Sequence, residues 1–260
     1  MTTDATRLRI VGSSPSVPRP GRACSSYLVR TARTSLLLDC GSGALSSLRE
    51  EFDYAALDAI VVTHMHADHF VDLLPLRYGL TYGPSFRATA LPLWLPPGGE
   101  ATLRTVCSAF GRDGAADFLA PFEIREYSDA QSVDARDITL SFAAVRHYID
   151  AFAVRVRTPS GTLTYSGDSA PCDALVDLAR DSDLFLCEVT IGTGNEDEPR
   201  GHSSAREAGH MAAAARARAL ALTHYPAECP IAALHDEAAR EFDGQVTIVD
   251  DGMELEVTRS

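Results

Sequence analysis

The chain has 260 residues, 45% of them hydrophobic, and a formal net charge of −13. That length supports a sizeable core, and the acidic balance disfavours a general nucleic-acid binder, whose phosphate contacts need a basic surface. No lysine is present, so all 23 basic residues are arginine, and Schiff-base, pyridoxal and P-loop lysine chemistry are excluded.

No run of about eighteen apolar residues suggests a membrane span. The N-terminal segment Met1–Arg7 lacks a basic stretch followed by an apolar one, which leads to the expectation of a cytoplasmic protein. Cys24, Cys40, Cys107, Cys172, Cys187 and Cys229 form no CxxC pair and read as reduced, mostly buried thiols. With no linker, low-complexity stretch or repeat, one domain is expected over residues 1–260.

The expected strands begin with Leu8–Val11, Ser26–Val29 and Ser35–Leu38, the first two separated by the turn-rich Gly12–Gly21. A helix is predicted over Ala44–Glu51. The apolar run Ala59–Val62 reads as a buried strand that delivers the chain to Thr63-His64-Met65-His66-Ala67-Asp68-His69, and a helix over Val71–Tyr82 follows. Next come a strand at Leu91–Leu95 closed by Pro96-Pro97-Gly98-Gly99, a helix at Ala101–Phe110 and a strand at Phe122–Glu126. The middle is β-rich, with Ile138–Val145, Ala151–Arg157 and Thr162–Tyr165, the last two joined by the hairpin turn Pro159-Ser160-Gly161. Helices then alternate with strands: Cys172–Arg180, Leu184–Cys187, Ser203–Ala215, Ala219–Thr223 and Ile231–Glu241. Strands Gln245–Val249 and Met253–Thr258 flank the turn Asp250-Asp251-Gly252. Strands in both halves with helices between them predict sheets faced by helices.

The His64–His69 segment holds three imidazoles and a carboxylate, the ligand set of borderline divalent metals, and the absence of thiolate favours catalysis over a structural site. His147, Asp168 and His224 each follow an apolar strand, and strand carboxyl ends are where sites assemble in α/β proteins. The physical division expected is His64, His66 and His147 at one metal, Asp68, His69 and His224 at a second, and Asp168 bridging both. Two such dications lower the pKa of bound water from ~15.7 towards ~7, which makes a nucleophile at neutral pH. The expected cofactors are therefore two divalent ions, zinc first and manganese as an alternative. His210 and His235 read as solvated helical residues.

With these residues in place, the whole chain resembles the metallo-β-lactamase-fold hydrolases, and within them the ribonuclease Z-like branch. The match rests on Val11-Gly12-Ser13-Ser14-Pro15, Asp39-Cys40-Gly41-Ser42-Gly43, the His64–His69 motif, His147, Ser166-Gly167-Asp168, Glu188, Gly201-His202-Ser203 and Leu222-Thr223-His224. The resemblance implies a four-layer αβ/βα sandwich with a dinuclear site at one edge, and it makes Asp39 a support for the metal loop. It also implies that Glu188 and His202 serve a phosphate, with Asp68, Glu188 and His202 as the catalytic set. A Glu188–His202 hydrogen bond would favour an imidazolium able to protonate a leaving oxygen.

Ribonuclease Z enzymes that process tRNA carry a long arm between the segments matching His147 and Asp168, whereas only residues 148–167 lie there in this chain. The text from Leu163 to Ser203 looks closer to armless relatives, some of them atypical class II cyclic-nucleotide phosphodiesterases. The expected function is hydrolysis of a small anionic phosphodiester, foremost a 3′,5′-cyclic nucleotide, without a long nucleic-acid or membrane partner. A ribonuclease Z-like RNA 3′-end nuclease and a lactonase or ester hydrolase are the alternatives. Relatives of this kind lead to the expectation of a homodimer.

Overall fold

Successive side chains of a strand point to opposite faces, so a strand that is apolar throughout needs cover on both sides. On Ser35–Leu38, Leu36 and Leu38 enter a central core while Leu37 enters an outer one, and all three are buried. Each contributes roughly 1.5–3 kcal/mol by leaving water. The same alternation recurs on Leu184–Glu188, where Leu184 and Leu186 face the central core and Phe185 and Cys187 the outer one.

The computed structural model describes residues 5–110, 118–194, 197 and 200–259. Its first sheet contains β1 (Thr6–Gly12), β2 (Ser26–Arg30), β3 (Ser35–Leu38), β4 (Ala59–Val61), β5 (Leu91–Leu95), β6 (Phe122–Glu126) and β14 (Glu254–Val257), in the order β14-β1-β2-β3-β4-β5-β6. The second contains β7 (Ser132–Ala135), β8 (Ile138–Ala144), β9 (Phe152–Arg157), β10 (Thr162–Tyr165), β11 (Leu184–Glu188), β12 (Ala219–Thr223) and β13 (Gln245–Ile248), in the order β13-β12-β11-β10-β9-β8-β7. Leu8, Ile10, Tyr27 and Val61 of the first meet Leu140, Val154, Leu163 and Leu186 of the second in the central core.

Helices α1 (Ala44–Leu48), α2 (Ala67–Phe70), α3 (Leu73–Tyr82) and α4 (Gly99–Ser108) cover the outer face of the first sheet. Helices α5 (Asp173–Ala179), α6 (Ala205–Ala214) and α7 (Ile231–Ala239) cover the second. The result is helix, sheet, sheet, helix: the four-layer sandwich expected. Among the described residues, no helix is long and apolar enough to cross a membrane.

Within each sheet four strands run parallel, β3-β4-β5-β6 and β10-β11-β12-β13. Strand β8 is antiparallel to β9, which is antiparallel to β10, so β8 also points the same way as β10. The carboxyl ends of β3, β4, β8, β10, β11 and β12 thereby collect at one edge, where the sheets are tied together. There Phe152 donates its N–H to the Thr63 carbonyl at 3.2 Å, and His224 donates to the Ser13 carbonyl at 2.9 Å.

Several boundaries differ from expectation for local reasons. The helix predicted over Val71–Tyr82 begins at Leu73, because Asp72 N–H bonds the Cys40 carbonyl (3.1 Å), and a separate short helix, α2, precedes it inside the His64–His69 motif. Pro75 then falls in the first turn of α3, where the missing N–H has no helical partner to lose. The helix expected over Ser203–Ala215 begins at Ala205, since its cap is Ser204 in a reciprocal box with Glu207. Helix α4 starts two residues before the predicted Ala101, after a left-handed turn at Gly98 (φ 75°). Strand β7 was not expected; its four residues alternate only between exposed and half-buried, a weak signal for an edge strand.

Candidate metal centre

Asp39 leaves β3 in a left-handed conformation (φ 59°), rare for a residue with a side chain. Its buried carboxylate accepts from Thr63 N–H (2.7 Å), Thr63 hydroxyl (3.0 Å), His69 Nδ1 (2.8 Å) and Tyr165 hydroxyl (2.9 Å). A Cβ on Gly41 would lie 1.9 Å from the Asp68 carbonyl oxygen, so only glycine lets the Asp39–Gly41 loop pack beneath the His64–His69 motif. The support that the family resemblance assigned to Asp39 is thus a four-donor brace.

His64, His66 and His147 form one group. His66 Nδ1 lies 3.2 Å from His64 Nε2 and 3.0 Å from His147 Nε2. Three nitrogens bound at 2.0–2.1 Å around a tetrahedral ion would stand about 3.3 Å apart, so these three atoms already outline one. The outer nitrogens of His64 and His147 are anchored. His147 Nδ1 donates to the Gly201 carbonyl (2.7 Å), and His64 Nδ1 meets the Thr63 hydroxyl (3.1 Å), which itself donates to Asp39. These bonds leave Nε2 of both rings as the free lone pair, the usual way a ligand imidazole is oriented. Burial, reinforced by neighbouring histidines, pushes protonation of all three rings below the ordinary imidazole value. That direction suits them to bind a cation as neutral imidazoles.

Asp68, His69, Asp168 and His224 form the second group. His224 is also left-handed (φ 57°); its Nε2 lies 3.3 Å from Asp68 Oδ2, and its Nδ1 meets the Thr190 hydroxyl at 2.8 Å. His69 Nε2 and Asp168 Oδ1 are buried, face each other at 3.3 Å, and have no hydrogen-bond partner among the described residues. A metal ion satisfies both, and the donor set of imidazole and carboxylate suits one. Burial opposes charge on Asp168, but His224 and His69 outweigh it and hold the carboxyl well below its usual range. Burial likewise disfavours a proton on His69, and Asp168 and Asp39 reverse that preference, so the pocket draws a cation. The other Asp168 oxygen, Oδ2, lies 3.8 Å from His64 Nε2, on the side of the first group.

Glu188 and His202 complete the edge. Glu188 is fully buried and accepts from the N–H groups of Ser169 (3.1 Å), Thr190 (2.7 Å) and Ser203 (3.1 Å), and from His202 Nδ1 (3.0 Å). Burial works against a charged His202, yet the hydrogen bond and charge of Glu188 prevail and raise its affinity for a proton. His202 keeps 18% of its side chain open to solvent, and its ring lies 4.9 Å from His147.

All nine residues singled out from the sequence therefore meet at one edge. Those not foreseen are Thr63, Tyr165, Thr190 and the Gly201 carbonyl, which orient ligands without being ligands. Only Thr63 and Gly201 carried any signal, through adjacency to a histidine. His210 and His235 are exposed and remote from the cluster, on α6 and α7.

Residues 34–225 match the Beta-lactamase superfamily domain. The Mycobacterium tuberculosis protein Rv1339 is 35% identical over 263 residues, an alignment that covers 100% of this chain and 95% of that protein. The ribonuclease Z of Mycobacterium marinum is 30% identical, over 96% of this chain and 98% of its own. In three dimensions, the crystal structure of the metallo-β-lactamase fold protein YhfI from Bacillus subtilis superposes with a TM-score of 0.86. That match has 27% identity and covers 97% of this chain and 99% of YhfI. Fold and cluster define a metallo-hydrolase. The chain belongs to the β-lactamase superfamily, in its metallo-β-lactamase fold.

Proposed function

We propose that the chain is a dinuclear phosphodiesterase of the cytoplasm that hydrolyses a small substrate, specifically a 3′,5′-cyclic nucleotide. The observation that carries this reading is the His202–Glu188 pair, 3.0 Å apart, standing beside the ligand cluster. Activated water alone does not choose carbon over phosphorus. A protonated imidazole on the opposite side does, because a phosphodiester places charge on non-bridging oxygens and on a poor alkoxide leaving group.

Ions held by His64, His66, His147, Asp68, His69, His224 and Asp168 would supply acidified water and neutralise phosphate charge. The protein's own groups do the rest. The attacking water gives up one proton to solvent, and Asp68 accepts a hydrogen bond from its remaining O–H and aims it. Water oxygen bonds to phosphorus, the P–O3′ bond breaks, and its electron pair stays on O3′. His202 Nε2 gives that oxygen its proton, while Nδ1 stays bonded to Glu188, and the product is a 5′-monophosphate. Glu188 spends both oxygens on four donors and is sealed from solvent, so its part is to position and charge His202.

Size selection follows from what surrounds the edge. Residues 148–167 contain only the β9–β10 hairpin, and the net charge of −13 disfavours a polynucleotide, whose phosphates need a basic surface. Purified protein of known metal content, tested against cyclic nucleotides, bis-p-nitrophenyl phosphate, lactones and a precursor tRNA, is expected to turn over the first two and leave the tRNA intact. Preference for lactones would overturn the proposal.

A further inference from the structure

We propose that Tyr148 is a stacking platform for the base of the substrate, which makes the substrate a phosphodiester bearing a flat aromatic heterocycle. This deepens the phosphodiesterase reading and rests on it. Tyr148 directly follows the ligand His147; its ring centroid is 5.2 Å from that of His147 and 5.7 Å from that of His202, yet 64% of the residue is exposed. The other exposed aromatics, Tyr78, Tyr82, Phe86 and Phe110, lie on or just after α3 and α4, which contribute none of the nine site residues.

The ring is held rather than free. A Cβ on Gly201 would stand 2.9 Å from both Cδ2 and Cε2 of Tyr148 and 2.9 Å from Nδ1 of His147. The glycine backbone therefore supports the aromatic ring and the ligand together. Ile149, the next residue in the chain, is also partly open to solvent, at 39%. The mouth of a site otherwise built from imidazole and carboxylate thus carries one broad apolar face, a short step from the group proposed to protonate the leaving oxygen.

A small anion such as a simple alkyl phosphate has no use for that face. A nucleotide does: its phosphate belongs at the ions, and its ribose carries the base sideways by a comparable span. Base stacking on an aromatic side chain strengthens binding by about five- to 150-fold and tolerates any base, because every base has a π-face. The site is therefore expected to accept purine and pyrimidine cyclic nucleotides alike.

The test compares wild type with Tyr148→Ala, Tyr148→Leu and Tyr148→Trp, all metal-loaded. KM is measured for adenosine and cytidine 3′,5′-cyclic monophosphate and for the base-free methyl riboside 3′,5′-cyclic phosphate, and binding of adenosine 5′-monophosphate by calorimetry. Alanine and leucine are expected to lower the preference for nucleotide over base-free diester about tenfold and to weaken monophosphate binding similarly, whereas tryptophan preserves both. An unchanged preference with unchanged monophosphate binding overturns the platform and leaves the phosphodiesterase reading standing. Tyr148-dependent monophosphate binding in a wild type that hydrolyses no phosphodiester supports the platform and sinks the reaction. A wild type that binds no monophosphate overturns the platform.

Discussion

In the first group His64 is buried but His66 and His147 are half-buried, whereas His69, Asp168 and His224 of the second are all buried. The first group is three neutral nitrogens, each kept unprotonated by burial. The second includes two carboxylates held ionised by histidines, with the Asp39 brace behind it. The difference teaches how one edge can hold two ions for unequal work. A neutral, partly exposed group would leave an ion's positive charge uncompensated and able to act on a ligand. A buried anionic group holds its ion chiefly by charge and favours harder metals.

Three substitutions would break or sharpen that contrast. Asp168→Ala removes the carboxylate both groups share, so turnover of bis-p-nitrophenyl phosphate should fall by more than the roughly 10²–10⁴-fold expected for losing a general acid. Bound metal, measured by mass spectrometry, should drop in the same sample; retained activity would show that the groups do not act together. His202→Ala lies outside both groups and should cost about 10²–10⁴-fold in kcat with metal content intact. A fall in bound metal instead would make His202 a ligand. Asp39→Asn keeps the shape of the brace but takes away an acceptor. It should weaken metal affinity or activity by about 10–100-fold, and chiefly at the His69 side, which competition with a chelator can resolve. Equal loss from both groups would contradict the asymmetry.

The clustered residues were legible as candidate ligands because each is a metal-capable residue just past an apolar strand, and His64-Met65-His66-Ala67-Asp68-His69 packs four of them into one turn. The layered fold was legible through alternating apolar strands and helices. What escaped was whatever depends on contacts across the sheets. Asp39 is joined to Tyr165, 126 positions away, and no periodicity announces that bond. Glu188 reads as a strand-end carboxylate, and only the structure reveals that three backbone N–H groups consume it, because backbone donors leave no trace in residue type. Ser204 rather than Ser203 caps α6 because Ser204 stands three residues before Glu207 and exchanges both capping bonds with it, while Ser203 donates its hydroxyl to the Ser169 carbonyl (2.7 Å). Two adjacent serines cannot be told apart without that partner.

Asp39 and His224 both occupy left-handed backbone, a conformation that costs of order 1–3 kcal/mol for a residue with a side chain. That strain sits where the sheets are pinned to each other, alongside the unsatisfied His69 and Asp168 atoms. Ligands that bind only the folded chain stabilise it by mass action, about 4 kcal/mol at a thousand times the dissociation constant. Ions bound at this edge would therefore be fasteners as well as reagents. A chain stripped of them would begin to unzip at this edge, and a protease would find the Thr63–His69 loop while the distant helices were still folded.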